Sequence, residues 1–235
     1  VRALGTILGV WAHPDDETYL SAGVMAHAVA NGERVVCVTA TRGESGSQDE
    51  KRWPTATLGS VREAELMTAL GILGVTEHEW LDYSDGGLDQ IPQEEALIKL
   101  GAIFDEVQAD TVLTFGPEGM TGHPDHKAIS AWTTEAFKRS AKLGAALYYS
   151  TVTPEWMETV FPQLDRLDVF FAGKPLVTPV EELGIDMALD RDLLELKYRA
   201  ISAQVSQSEG LLKTLGRDFF DLSEGAERFV LAAVS

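Results

Sequence analysis

Among 235 residues there is one cysteine, Cys37, so no internal disulfide can form. Its setting in VVCVTAT reads as a small buried apolar side chain, and a reducing, cytoplasmic compartment is the expectation that follows. No apolar run approaches the roughly 20 residues that a membrane-spanning helix needs, so no membrane partner is expected. Basic residues are scarce: 19 Lys and Arg stand against 37 Asp and Glu, a formal charge of −18. Such a charge repels a phosphate backbone and counts against nucleic acid as a partner. Three nucleotide and nucleophile signatures are also missing. No GxGxxG follows the first apolar run, GESGS lacks the Gly-Lys-Ser/Thr ending of a Walker loop, and no GxSxG elbow is present. Histidines number only five, which gives weight to where they fall.

Hydrophobic residues make up 45% and charged residues 24%, close to an ordinary globular chain, so a sizeable core is affordable. The opening VRALGTILGVWAH carries one basic residue and a short apolar run, and reads as a strand in preference to a signal peptide. Apolar periodicity predicts strands over 6–11, 34–41, 79–83, 111–115 and 147–152. They alternate with amphipathic helices over 17–31, 60–73, 92–107 and 127–142. That alternation implies an α/β fold: a Rossmann-like, mostly parallel sheet with helices on both faces and right-handed crossovers. The C-terminal portion is irregular, with a strand expected at 168–171, a helix at 191–205 and a last strand at 228–234. With no Pro- or Ser-rich linker and no internal repeat, residues 1–235 read as a single domain.

Ligands in such sheets gather at the carboxyl ends of strands, and two loops placed there hold the chemistry. AHPDDE, residues 12–17, follows the first strand, and HPDH, residues 123–126, follows the fourth. His13 and Asp16 are three residues apart at a helix start, where the backbone dipole favours carboxylates. His123 and His126 repeat that spacing. A catalytic zinc site takes three protein ligands, drawn from His nitrogen and carboxylate oxygen, and keeps a water in the fourth position. Four candidates exceed three positions, so one histidine is spare for proton handling and Asp15 is free as a base; spacing leaves open which histidine that is. His27, in an amphipathic helix, and His78, among acids, read as structural. The polar, Gly-rich segment 41–59 is a candidate lid.

Together AHPDDE, TRGE, the Arg of VREAE, the DGGL turn and GHPDH resemble the LmbE-like (PIG-L) zinc deacetylases, which remove acetyl from N-acetylglucosaminyl groups. The similarity continues through KYRAISAQVSQ and GAERFVL and so spans nearly the whole chain. The resemblance implies one Zn2+ held by His13, Asp16 and His126, with Fe2+ or Co2+ accepted by the same donors. It implies Asp15 as general base, and a cationic His123, oriented by Asp125, that stabilises the oxyanion or protonates the leaving amine. Arg62, Asp85, Glu17 and Arg42 are its candidates for substrate contact. Glu17 reads equally as a first-turn helix acid, and Arg42 and Glu44 could pair with each other or seal the site. Trp53 could stack on a sugar or anchor its loop. Two positions depart from the family: Thr121 stands where mycothiol-pathway deacetylases have a Tyr that assists the oxyanion, and Gln204 where many relatives have a His.

The expected function is zinc-dependent hydrolysis of an N-acyl, usually N-acetyl, group on an amino sugar or its conjugate, with that small molecule as partner. An amidase for a larger sugar or thiol conjugate is the alternative within the class. A non-catalytic sugar-binding relative with a structural metal is the alternative outside it, and a metal-dependent phosphoesterase is disfavoured by acidity. A homo-oligomer is compatible with all of these.

Overall fold

The computed structural model describes residues 3–234. Five parallel strands form its centre: β1 (Ile7–Trp11), β2 (Val35–Thr41), β3 (Glu77–Tyr83), β4 (Thr111–Phe115) and β5 (Ala146–Ser150). Two antiparallel strands, β6 (Leu183–Ala188) and β7 (Ala226–Leu231), extend the same sheet beyond β5. The order across the sheet is β3-β2-β1-β4-β5-β7-β6. β1, β2 and β4 are buried at every residue, as expected of strands covered on both faces, whereas β6 alternates buried and exposed.

The helices that cover the sheet are α1 (Asp16–Ala30), α2 (Thr55–Leu73), α3 (Gln93–Val107), α4 (Pro124–Ser140), the short α5 (Pro154–Thr159) and α6 (Phe161–Asp165), α7 (Arg191–Ala203) and α8 (Val205–Glu224). α1, α2 and α7 pack together, and α3 packs on α4. The chain builds outward from β1 to β3, then returns to β4 on the other side of β1. That reversal opens a crevice at the carboxyl ends of β1 and β4, the place where open α/β sheets bind ligands. Among the described residues no helix is long and apolar enough to cross a membrane.

Several expectations need correction. The helix expected at 60–73 starts at Thr55, directly after Pro54, so the polar loop is shorter than expected. The helix expected at 127–142 starts at Pro124, which puts Asp125 and His126 in its first turn. Residues 168–171 form no strand; Asp168 has φ 55, and the Phe171 N–H donates to the Thr121 carbonyl at 2.7 Å. β6 and α8 were not anticipated: β6 is half exposed, and α8 is interrupted at Gly216, whose φ of 75 only glycine adopts freely.

Candidate active site

The loop after β1 enters α1 through a strained residue. Asp15 has φ 126, a conformation that costs a non-glycine residue roughly 1–3 kcal/mol and persists only where its surroundings enforce it. The Asp15 N–H donates to Glu17 Oε2 at 3.0 Å, and Arg62 Nη2 donates to the Pro14 carbonyl at 2.5 Å. Gln204, at the junction of α7 and α8, donates through Nε2 to Glu17 Oε1 at 2.7 Å and accepts from Thr18 Oγ1 at 2.6 Å. The same loop aims Asp16, whose Oδ2 accepts the His13 N–H at 2.8 Å and the Ala12 N–H at 3.2 Å.

From the other side of the crevice, β4 ends at Phe115, and His123 caps α4 by accepting the Asp125 N–H on Nδ1 at 3.1 Å. His126 stacks on Phe115, ring centroids 4.2 Å apart, with its Nδ1 at 3.0 Å from the Gly119 carbonyl. That carbonyl can only accept, so Nδ1 carries the proton and Nε2 a lone pair. The Asp125 carboxylate is fully buried and accepts the N–H groups of Gly86 at 2.8 Å and Leu88 at 3.0 Å. It also accepts His13 Nε2 at 3.2 Å, and Asp85 Oδ1 faces the same nitrogen at 3.1 Å. Two carboxylates therefore fix the proton of His13 on Nε2.

The consequence is a focus of acceptors. His13 Nδ1 lies 3.2 Å from His126 Nε2, His126 Nε2 lies 3.3 Å from Asp16 Oδ1, and His13 Nδ1 lies 3.7 Å from Asp16 Oδ2. Two imidazole lone pairs and a carboxylate converge in a buried place, an arrangement stable only around a positive charge. Protonation shows the same demand. Burial disfavours a charged His13, yet hydrogen bonds to Asp125 and Asp85 and the charge of Asp16 outweigh it and push the imidazole up to about 10. Burial and the charge of His13 hold His126 well below the ordinary imidazole range, so it is neutral. A metal ion would meet this demand, and both histidines already carry the outer hydrogen bond typical of metal-binding imidazoles. His123 is near enough to join: it, His13 and His126 each offer a nitrogen, all within 4.8 Å of one another.

The remaining candidates divide clearly. Arg62 is buried, with Nη2 at 3.2 Å from Asp15 Oδ2, and lines the cavity together with Asp15 and Asp85. Burial raises the Asp15 carboxyl and Arg62 pulls it back, leaving it at about 6. Arg42 lies outside the cavity lining: it pairs with Glu63 at 2.7 Å and Asp82 at 2.6 Å and sits over the Trp80 ring. Glu17 is fully buried behind the loop. Substrate contact by Arg42 and Glu17 does not fit these positions, because one is held by surface ion pairs and the other is walled in. Glu44 accepts the Asp85 N–H at 3.0 Å, and Trp53 lies under Arg52. Asp125 orients His13 through its carboxylate and reaches His123 only through its backbone N–H, so the expected orienting contact goes to the other histidine. Thr121 lies behind His126, with Oγ1 at 3.2 Å from Nδ1. The brace formed by Gln204 is not legible in the sequence, where Gln204 shows only as a departure from the family pattern; a third acid, Glu17, following two aspartates is the one signal there of a need for a neutral partner.

A family model described as "PIG-L: GlcNAc-PI de-N-acetylase" matches residues 8–137, which include both histidine loops. The chain belongs to this family. A deacetylase of Saccharomonospora viridis, named for 1D-myo-inositol 2-acetamido-2-deoxy-alpha-D-glucopyranoside, is 30% identical, the match covering 96% of this chain and 94% of that protein. The solved N,N'-diacetylchitobiose deacetylase of Pyrococcus horikoshii shares the fold with TM-score 0.64 at 22% identity, over 97% of this chain and 83% of its own. The 4-carboxy-2-hydroxymuconate hydratase of Pseudomonas putida shares it too, with TM-score 0.65 at 19% identity over 97% and 96%. The fold alone thus supports more than one chemistry, and the PIG-L site residues carry the rest of the argument.

Proposed function

We propose that this PIG-L protein is a zinc-dependent N-deacetylase acting on an N-acetylglucosaminyl conjugate, with residues 1–235 as one catalytic domain. The observation that carries this reading is the focus of His13 Nδ1, His126 Nε2 and Asp16 with Asp15 beside it in the cavity. Two histidines and one carboxylate with a fourth position for water is the donor set of a hydrolytic zinc site, although Fe2+ or Co2+ suits the same donors. When bound there, the ion would acidify a water and polarise the amide carbonyl.

The chain's own residues then divide the proton work. Asp15, at about 6, is ionised at neutral pH yet basic enough to take a proton from the attacking water. Arg62 engages its Oδ2, which leaves the other oxygen available for that proton. The same carboxyl then returns the proton to the departing nitrogen. His123 accepts the Asp125 N–H on Nδ1, so its neutral ring carries the proton on Nε2, and burial keeps it below the ordinary imidazole range. In this reading it serves as a neutral donor to the carbonyl oxygen as negative charge builds there, in place of the cation that the resemblance implies. Asp85 braces His13 and lines the cavity, where its carboxylate is available to accept from a sugar hydroxyl.

The test is metal analysis followed by an amine-release screen over N-acetylated amino sugars and their conjugates. Stoichiometric zinc with chelator-sensitive amine release is the expected result. Full activity in chelator, or no amine from any of these amides by the zinc-loaded protein, would overturn the proposal.

A further inference from the structure

The cavity around the candidate metal centre has a volume of about 760 Å3, in the range of pockets that take drug-sized ligands and larger than one acetamido sugar fills. Its lining divides by polarity. From His13, contacts run through Asp85 to Ser45, and on that side Ser47, Gln48 and Gln207 line the cavity. From His123 they run to Phe171, ring centroids 4.7 Å apart. The lining there is mainly apolar and includes Trp156, Leu164, Val169, Phe170, Leu215 and Phe220, with Asp168, Thr214 and Ser223 among them.

These residues are not simply core. Val160, Leu164 and Phe219 form a hydrophobic cluster separate from the main one, and Trp156, Val169, Phe170 and Leu215 pack against it only partly buried. Their remaining apolar surface faces the cavity, where water wets it at a cost. The wall is also fastened to the reacting groups. Beside the bond from the Phe171 N–H to Thr121, Gly122 approaches Ala172 so closely that a Cβ there would sit 2.1 Å from the Ala172 carbonyl oxygen. The loop that presents His123 thus fixes where the apolar wall stands. An acetyl methyl and a ring of hydroxyls would leave most of that wall wet.

We propose that this chamber is a specificity subsite for a bulky apolar group carried by the amide substrate. The inference rests on reading the site as an amidohydrolase. The apolar group has two sources, an N-acyl chain of several carbons or an apolar aglycone on the sugar, and the same wall recognises either.

The experiment measures kcat/KM of the zinc-loaded enzyme on two series. One is N-acetyl, N-butanoyl and N-hexanoyl glucosamine, and the other is methyl, butyl and hexyl glycosides of N-acetylglucosamine. Each methylene that enters the chamber should raise kcat/KM about two- to fourfold. A rise in the first series assigns the chamber to the acyl chain, and a rise in the second to the aglycone. Turnover of the shortest members with no gain in either series overturns the subsite and leaves the deacetylase reading standing. If no amide is hydrolysed, that reading fails, and the chamber is judged by Trp fluorescence binding of hexyl against methyl glucoside, which contain no amide. A much lower Kd for hexyl glucoside supports the chamber; equal values overturn it. Phe170→Asp should flatten the chain-length dependence in the series that shows it, with Leu215→Asp in its place if the first variant fails to fold. A folded variant that keeps the full dependence overturns the assignment of this wall.

Discussion

Asp125→Asn is the sharpest probe of how the site is held. The wild-type carboxylate serves three donors with two oxygens: Gly86 N–H and His13 Nε2 on Oδ2, and Leu88 N–H on Oδ1. An amide of the same shape keeps one oxygen and turns an NH2 toward the other position. The better orientation leaves the oxygen on Gly86 and His13 and sets the NH2 against the Leu88 N–H, so one buried donor goes unsatisfied. That costs about 1–3 kcal/mol, or a fall in Tm of about 2–12 °C for a chain of this size. His13 keeps a bond, but to a neutral acceptor, and loses basicity at Nδ1. Loss of such an outer-shell carboxylate lowers metal affinity about 10- to 100-fold. Zinc competition against a chromophoric chelator and a thermal melt read the two effects separately. If zinc affinity is unchanged and only the pH dependence of kcat moves, Asp125 acts on His123, and the orientation of His13 by its carboxylate is refuted.

Asp15→Ala should lose about 10² to 10⁴ in kcat while binding zinc stoichiometrically, since it removes the proton acceptor and none of the three donors. Wild-type activity in this variant would remove Asp15 from the mechanism. Zinc binding at pH 8 should release at least one proton, because His13 lies at about 10 without metal and must be neutral to ligate, and ionisation of the bound water adds to the count. Calorimetry in buffers of different ionisation enthalpy counts it, and zero protons would contradict the acceptor focus. His78 supplies a pH effect away from the site. Burial lowers it from 6.5 to about 4, so between those values the unfolded chain binds the extra proton and stability rises with pH. Discounted for partial exposure, about 1–2 kcal/mol is present above pH 6.5 and lost as pH falls toward 4. His78→Gln should flatten Tm over that window; an unchanged pH profile would refute the shift.

The sequence by itself determined the central sheet, because strands buried on both faces read as continuous apolar runs, as in ILGVW and VVCVTAT. It also pointed to the two loops whose histidines His13, His123 and His126 come together, because His at strand ends has little structural reason to cluster. Long-range geometry decided the rest. The contacts of β6 lie with β7, some forty residues downstream, and its alternating pattern is too short to be distinctive in the chain alone. Asp125 stands two residues from His123 in sequence, yet the first turn of α4 points its carboxylate at His13, across a separation of 112 residues. Arg42 and Arg62 look equivalent as loop and helix arginines, but only packing buries the second beside Asp15 and leaves the first among surface acids. The tautomers of His13 and His126 follow from partners in the loop after β3, the loop after β4 and the first turn of α4. Composition and spacing name the atoms capable of chemistry, but which lone pair faces which depends on side-chain directions that exist only once β1 and β4 lie side by side.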